Sequence, residues 1–175
     1  MSNFTSDFKY YKRFMRVTKR GIILDLGCGI GKISNCLTNY GYECIGYDNV
    51  RETIEEGKRV YPSLNLNVGD IVNIPKLIKK ANGAIYMYCL SFLKDEEILQ
   101  SFISCNKNLI HDGKIMIAVL CKKSPIITYP PYVNAVSRET LKKVLNKAGF
   151  RIYYCKYGSK AKDILYLIAT KYKNI

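Results

Sequence analysis

A glycine-rich turn stands between an apolar run and a helical pattern near the start of the chain. Residues 25–31 read D-L-G-C-G-I-G, so three glycines alternate with other residues after the run G-I-I-L-D-L. Glycines permit a tight turn and let backbone N–H groups approach a ligand closely. The positive end of the helix that follows favours a carboxylate or phosphate. The same spacing also suits an ordinary strand-to-helix turn that binds nothing.

Two aspartates follow the next two apolar runs. Asp48 ends the run C-I-G-Y, and Asp70 comes directly after the run L-N-L-N-V-G. A carboxylate at the end of a second strand can accept hydrogen bonds from both hydroxyls of a ribose, and one after a third strand could receive an adenine amino group. Each aspartate alone could instead be a turn or cap residue. Together with the glycine turn they predict one nucleoside-binding crevice, because the carboxyl ends of parallel strands meet at one edge of a sheet.

Strands and helices alternate along the chain and must position these residues. Apolar runs predict strands at residues 21–26, 44–47, 64–68, 83–90 and 114–120, the last after a turn at Asp112-Gly113. Amphipathic patterns predict helices at residues 30–40, 50–60, 95–110 and 137–148. Asp95 and Ser137 are the predicted caps of the last two helices.

The C-terminal part departs from this alternation. Residues 121–136 contain three prolines and no helical stripe, so they are predicted to form a loop. The runs at residues 150–157 and 164–171 flank a short turn rich in Gly, Ser and Lys, which predicts a hairpin. The fold class predicted is therefore α/β: a doubly wound, mostly parallel seven-stranded sheet with an antiparallel C-terminal hairpin strand and helices on both faces.

The length of 175 residues suits one domain. We expect residues 21–175 to form that domain and residues 1–20 to form an N-terminal helix, since Phe4, Phe8, Tyr11 and Met15 recur at about helical spacing.

The composition excludes metal-bound and membrane-spanning classes of protein. The seven cysteines show no two-residue spacing, and His111 is the one histidine, so no metal site is predicted. Unpaired cysteines in apolar runs favour a reducing, cytoplasmic location, and no run of 18 apolar residues is present. His111 is expected to be a surface residue.

The net charge of +14 is concentrated at the two ends of the chain. Residues 1–20 carry six cations against one acid, and the middle of the chain is nearly neutral. A helix beside the site could present these cations to an anionic acceptor. They are Lys9, Lys12, Arg13, Arg16, Lys19 and Arg20.

The motifs resemble those of class I S-adenosylmethionine-dependent methyltransferases. L-D-L-G-C-G-I-G-K is similar to the first motif of that family, G-Y-D-N to its acidic second-strand end, and V-G-D-I to its acidic loop after the third strand. L-I-H-D-G-K-I-M-I-A-V resembles the segment that leads into the fifth strand, and the resemblance extends over residues 21–171. Dinucleotide dehydrogenases, the alternative, usually carry G-x-G-x-x-G and lack the closing antiparallel strand.

The resemblance implies S-adenosyl-L-methionine as cofactor and S-adenosyl-L-homocysteine as product. It also implies that the helix at residues 1–20 is an N-terminal lid, which closes over the site for chemistry and opens for product release. It implies contacts to the methionine moiety from the first motif, to the ribose and adenine from the two acidic motifs, and to the sulfonium end from the end of the fourth strand. The implied cofactor-binding residues are Asp25, Gly27, Cys28, Gly29, Gly31, Asp48, Asn49, Asp70, Ile71, Tyr88 and Cys89.

The methyl acceptor has no clear motif. The Asn/Asp-Pro-Pro-Tyr/Phe motif of enzymes that methylate base amino groups is missing after the fourth strand, where the sequence reads Y-M-Y-C-L. Aromatic residues near the expected site could stack on a planar or cationic acceptor, orient a nucleophile, or simply pack a lid. These acceptor-side candidates are Tyr10, Tyr11, Tyr88, Phe92, Tyr129 and Tyr132.

We therefore predict a methyltransferase that acts on a nitrogen or oxygen of a small molecule by in-line displacement. Two alternatives stay open: a methyltransferase for RNA, DNA or protein, and a non-catalytic cofactor-binding partner subunit. A nucleic acid partner would meet the basic N-terminal segment. An oligomer stays open, and no membrane partner is expected.

Overall fold

The computed structural model describes residues 3–121, 130–158 and 163–175. Its strands are β1 (Ile22–Leu26), β2 (Glu43–Asp48), β3 (Asn65–Val68), β4 (Ala81–Met87), β5 (Leu109–Leu120), β6 (Phe150–Tyr157) and β7 (Ile164–Lys171). They form one sheet in the order β3-β2-β1-β4-β5-β7-β6. Strands β1 to β5 pair in parallel, whereas β7 runs antiparallel to both β5 and β6. The predicted fold class is thus confirmed, including the hairpin.

The helices are α1 (Asn3–Val17), α2 (Lys32–Asn39), α3 (Arg51–Val60), α4 (Asp95–Asn108) and α5 (Arg138–Lys147). The predicted cap of α5 is confirmed, since the Ser137 hydroxyl accepts a hydrogen bond from the Thr140 N–H at 3.0 Å. None of the helices in the described part of the chain has the length and apolar content needed to cross a membrane.

Neighbouring residues of each central strand face opposite sides of the sheet. On one side Leu24 packs in a core with Phe102 of α4 and Leu141 of α5. On the other side Ile23 packs with Phe14 of α1 and Leu37 of α2. Because side chains alternate along a strand, a strand buried on both faces is apolar at most positions, which explains the run Ile22–Leu24 in β1. Asp25, which is also buried, is the exception in this strand.

Three sequence predictions about element boundaries are wrong. Strand β4 ends at Met87 instead of residue 90, because Tyr88 adopts a left-handed φ of 63° and Cys89–Phe92 form a 3-10 helix. Strand β5 already begins at Leu109, and the predicted turn at Asp112 is an irregularity within it, at a φ of 61°.

The cap predicted at Asp95 is displaced by one residue. Lys94 is the cap of α4, and its backbone N–H donates to the Glu97 carboxylate at 2.7 Å. Of the loop predicted at residues 121–136, residues 130–136 are neither helix nor strand, whereas residues 122–129 lie outside the described residues, as do residues 159–162 of the predicted hairpin turn.

Candidate functional site

A pocket of about 410 Å³ opens at the carboxyl-terminal edge of the parallel strands. The strand order reverses between β1 and β4, which is where ligands bind in open α/β sheets. The pocket is formed by the turn after β1, the ends of β2 and β3, and the segment after β4. Its lining residues are Gly27, Asp48, Asn49, Val50, Asp70, Ile71, Met87, Tyr88, Cys89, Phe92 and Leu93.

The glycine turn after β1 packs tightly on one side and is open on the other. Gly27 has a φ of 75°, and a Cβ added there would lie well inside 3.0 Å of the Cys89 Cβ. Gly29 has a φ of 53°, but the nearest atom to an added Cβ is 4.0 Å away, on Thr53. Gly27 therefore lets the turn approach the segment after β4, whereas Gly29 leaves space for a ligand.

Asp48 joins the turn after β1 to the start of α3. Its Oδ2 accepts a hydrogen bond from the Gly29 N–H at 2.9 Å, and its Oδ1 accepts one from the Val50 N–H at 3.0 Å. Since each carboxylate oxygen can accept two hydrogen bonds, Asp48 keeps capacity for a ligand's hydroxyls. Asp70 is oriented likewise, because its Oδ1 accepts from the Val72 N–H at 2.8 Å.

Asp25 lies beneath the turn and does not line the pocket. It is 1% exposed, and its Oδ2 accepts hydrogen bonds from both the backbone N–H and the hydroxyl of Ser34, at 3.0 and 2.7 Å. Its Oδ1 has no hydrogen-bond partner among the described residues. Burial raises the pKa of this carboxyl to about 6, the Ser34 hydrogen bonds oppose the rise, and the charge of Asp48 adds to it.

Asp25 should make the stability of the fold depend on pH. Because its pKa of about 6 lies above the ordinary 3.8, the folded protein keeps a proton that the unfolded chain loses between these pH values. The free energy of unfolding therefore falls as pH rises through this window, by about 3 kcal/mol for two pKa units. We expect Asp25→Asn to match the wild type near pH 4 and to be the more stable protein at pH 7, in urea unfolding.

The exposed carboxylate Glu96, changed to Gln, is the matched control for this comparison. A difference in unfolding free energy between wild type and Asp25→Asn that is equal at both pH values would contradict the raised pKa.

Two further residues of the predicted set have packing roles and lie outside the pocket lining. Cys28 is buried against Ile54 and Leu66, and burial raises the pKa of its thiol. Gly31 is the cap residue before α2, and a Cβ added there would lie 3.0 Å from the Leu66 side chain. Seven of the eleven predicted cofactor-binding residues do meet at the pocket: Gly27, Asp48, Asn49, Asp70, Ile71, Tyr88 and Cys89.

Tyr88 connects the pocket to the first turns of α1. Its hydroxyl donates to Asp7 Oδ2 at 2.7 Å and lies 2.9 Å from the hydroxyl oxygen of Tyr166. The Tyr166 hydroxyl donates to Asp7 Oδ1, and the Tyr10 ring stacks on the Tyr166 ring with centroids 3.6 Å apart. Burial raises the pKa of both Tyr88 and Tyr166, so both hydroxyls remain protonated. We call Asp7, Tyr88 and Tyr166 the Asp7 cluster.

The other acceptor-side candidates fall into two groups. Tyr10 and Tyr11 are buried, at 4% and 3% exposure, between α1 and the sheet, so they pack the core and do not line the pocket. Phe92 lines the pocket, and its ring centroid lies 6.1 Å from that of Tyr132. Tyr129 lies outside the described residues.

The sequence reasoning missed five residues at or beside the site. Val50, Met87 and Leu93 line the pocket, but apolar side chains carry no chemical signal. Asp7 and Tyr166 lie far from the motifs in sequence, although Asp7 is the one acid among the first twenty residues.

Three of the six N-terminal cations, two in α1 and one just after it, lie in a groove away from the pocket. Asp7 lies at the pocket end, and the ten residues from there to Val17 span about 15 Å of helix. Lys12, Arg16 and Arg20 line a groove beside Tyr40 and Tyr42, and Arg20 donates to the Tyr40 carbonyl at 2.6 Å. These three cations therefore line a groove that is separate from the pocket.

His111 is exposed, as expected, and lies 3.2 Å from the Asp112 carboxylate at the start of β5. The described residues include no cluster of His, Cys, Asp or Glu that could hold a metal ion. All seven cysteines are free thiols.

Comparison with known proteins relates the chain to methyl-transferring proteins. Residues 23–113 match the family described as methyltransferase domain. A protein of Invertebrate iridescent virus 6, provisionally named a methyltransferase, is 24% identical to the chain over 162 residues. The match covers 88% of the chain and 56% of that protein. An uncharacterised methyltransferase of Oceanobacillus iheyensis is 27% identical over 94 residues, covering 54% of the chain and 44% of the relative. The chain thus spans about half the length of the curated relatives it matches.

Solved structures share the fold at low sequence identity. The PH0226 protein from Pyrococcus horikoshii superposes with a TM-score of 0.83 at 18% identity, covering 97% of this chain and 90% of that one. The glycopeptide N-methyltransferase MtfA, solved with S-adenosyl-L-methionine, gives a TM-score of 0.74 at 15% identity, with 92% of each chain covered.

Proposed function

The chain belongs to the methyltransferase domain family, whose class I members use S-adenosyl-L-methionine, and we propose that it transfers the methyl group of this cofactor to a nitrogen or oxygen atom of a small molecule. The observation that carries the proposal is the meeting of Asp48, Asp70 and the glycine turn around one pocket, where the strand order reverses.

The residues around the pocket fit this cofactor. Asp48 keeps hydrogen-bond capacity for the two ribose hydroxyls, and Asp70 with Ile71 would hold the adenine edge. The open side of Gly29 gives room for close approach to the turn. The unpartnered, buried Oδ1 of Asp25 would orient the methionine moiety through a donor group or a water.

The residues around the pocket would align the cofactor with the acceptor and exclude water. S-adenosyl-L-methionine, when bound, supplies a methyl group that its positively charged sulfur already activates. Met87, Phe92 and Leu93 form an apolar wall that excludes water from the pocket. Holding the cofactor and the acceptor side by side would speed the reaction, because the entropic cost of bringing the two molecules together is met when they bind.

Cys89 is a packing residue in this scheme and not a nucleophile. Burial raises the pKa of its thiol, and the thiol donates to the Leu26 carbonyl at 3.0 Å. A reactive cysteine needs a thiolate, which this environment disfavours.

The pocket supports a small acceptor more than a nucleic acid. No lysine or arginine is found among its described lining residues, and three of the six N-terminal cations lie in a different groove. Binding of a nucleic acid depends on neutralising several phosphates with Lys or Arg.

Labelled methyl donor, incubated with the protein and a cell extract, tests this proposal. We expect label in the small-molecule fraction and none with Asp48→Asn, which would lose the ribose-binding carboxylate. Label confined to the RNA, DNA or protein fractions would contradict the small acceptor. Tight cofactor binding without transfer to any fraction would favour a non-catalytic partner subunit.

A further inference from the structure

The charge of the pocket is opposite to that of the protein. The chain has a net charge of +14, yet the charged residues among the described lining residues are Asp48 and Asp70. Both lie on the side formed by β2 and β3, where they would serve the ribose and the adenine. The other side, after β4, is aromatic and apolar.

The aromatic side of the pocket is electron-rich. Tyr88 is one of its lining residues, and the Tyr88 hydroxyl donates to the Asp7 carboxylate. Such a hydrogen bond is charge-assisted and shifts electron density from the O–H bond into the phenol. Asp7 is 4% exposed, so its carboxylate lies behind Tyr88, inside the fold.

The Asp7 cluster also determines how the Tyr88 ring stands. Tyr88 has a left-handed φ of 63°, which is unusual for a residue with a side chain and is maintained only by its surroundings. Its backbone N–H donates to the Ala118 carbonyl at 2.7 Å, and its hydroxyl is held by α1 and β7 through Asp7 and Tyr166. Three elements, α1, β5 and β7, therefore hold Tyr88 in place.

Two more aromatic residues, Phe92 in the pocket lining and Tyr132 beside it, are largely exposed in the described part of the chain. Phe92 and Tyr132 are 59% and 64% exposed, although they are large aromatic residues. Their ring centroids are 6.1 Å apart, and the Asn134 N–H donates to the Ser91 carbonyl at 2.7 Å, which ties the two segments together. Exposed aromatic residues next to a pocket are typical of a binding surface.

We propose that Tyr88, Phe92 and Tyr132 recognise a positively charged group on the methyl acceptor, namely an ammonium, a quaternary ammonium or a guanidinium of a small molecule. Aromatic faces attract such cations, and a carboxylate behind Tyr88 strengthens the attraction. The inference rests on the proposed function and adds the class of substrate. The cation is the group that is recognised, and the methylated atom is another atom of the same molecule.

Binding of matched aromatic probes to the full chain tests this inference. Phenethylamine, phenethyl alcohol and phenylacetate have similar shapes and are cationic, neutral and anionic at pH 7. Their dissociation constants are measured by NMR titration, with the protein free and with it saturated by S-adenosyl-L-homocysteine. We expect the amine to bind at least about 10-fold more tightly than the alcohol, and the carboxylate to bind least. Equal affinities, or a preference for phenylacetate, would overturn the inference.

Variants connect the preference to the named residues. Asp7→Asn keeps a hydrogen-bond acceptor for Tyr88 but removes the charge, and we expect it to reduce the preference for the amine several-fold. Phe92→Leu, at an exposed position that does not support the core, should reduce it as well. Tyr153→Phe on the exposed face of β6 is the matched control and should leave it unchanged. An unchanged preference in both Asp7→Asn and Phe92→Leu would refute the assignment.

The failure of the two proposals can be distinguished in the same titrations. Absence of S-adenosyl-L-homocysteine binding to the wild type would count against the proposed function. Normal binding of that product, together with no preference for the amine, would count against the cation site alone.

Discussion

Asp48→Asn should lower the affinity for S-adenosyl-L-homocysteine at least about 100-fold, which corresponds to the loss of charge-assisted hydrogen bonds worth about 3 kcal/mol. The asparagine retains one oxygen that can accept from the Gly29 N–H, so the turn after β1 keeps its connection to β2. The charge that favours two ribose hydroxyls is lost. Isothermal titration calorimetry measures the affinity, and circular dichroism checks that the fold is retained.

Asp70→Asn is the matched control for this experiment. Asp70 is also held by a backbone N–H at the edge of the pocket, but it is exposed, and its proposed contact is a single adenine amino group. We expect a loss of about 10-fold or less, in keeping with one hydrogen bond near solvent. Equal affinities of wild type and Asp48→Asn would contradict the assignment of the ribose site.

Gly27→Ala should cost more than about 3 kcal/mol of the free energy of unfolding, because a methyl group at this position has no room. Its Cβ would overlap the Cβ of Cys89, and the φ of 75° is unfavourable for any residue with a Cβ. The turn after β1 and the segment after β4 would have to separate, which would also distort the pocket. Urea unfolding measures the loss of stability.

Changes at position 89 distinguish the two possible causes of this loss, which are steric overlap with the Cys89 Cβ and strain in the backbone. Cys89→Gly removes the Cβ that the new methyl group would meet, so Gly27→Ala should be much less costly in that background. Cys89→Ala keeps the Cβ and should give no rescue. Gly29→Ala has an open environment and a φ of 53°, so it should cost only about 1 kcal/mol. Equal costs of Gly27→Ala in both backgrounds would show that backbone strain alone is responsible.

The sequence predicted most strands and helices within a few residues, because their periodicities arise from local geometry. The predicted boundaries are wrong where a contact between residues far apart in the sequence outweighs the local conformational preference. The end of β4 depends on the left-handed Tyr88, whose hydroxyl is held by Asp7, 81 residues away. Strand β5 begins early because Leu109 pairs with Ala81, a contact that no local pattern contains.

The two sides of the pocket also differ in how far the sequence alone determines them. The sequence alone determined the side of the pocket that we assign to the nucleoside, since glycines and acids at the ends of successive parallel strands must meet wherever such a sheet forms. Only the tertiary structure decided the side that we propose for the acceptor, which depends on how α1, β7 and the segment after β4 pack together. It brought Asp7 to Tyr88 and carried Lys12, Arg16 and Arg20 to a separate groove. Contacts between residues far apart in sequence are set by packing of whole elements, and single residue types and spacings do not reveal them.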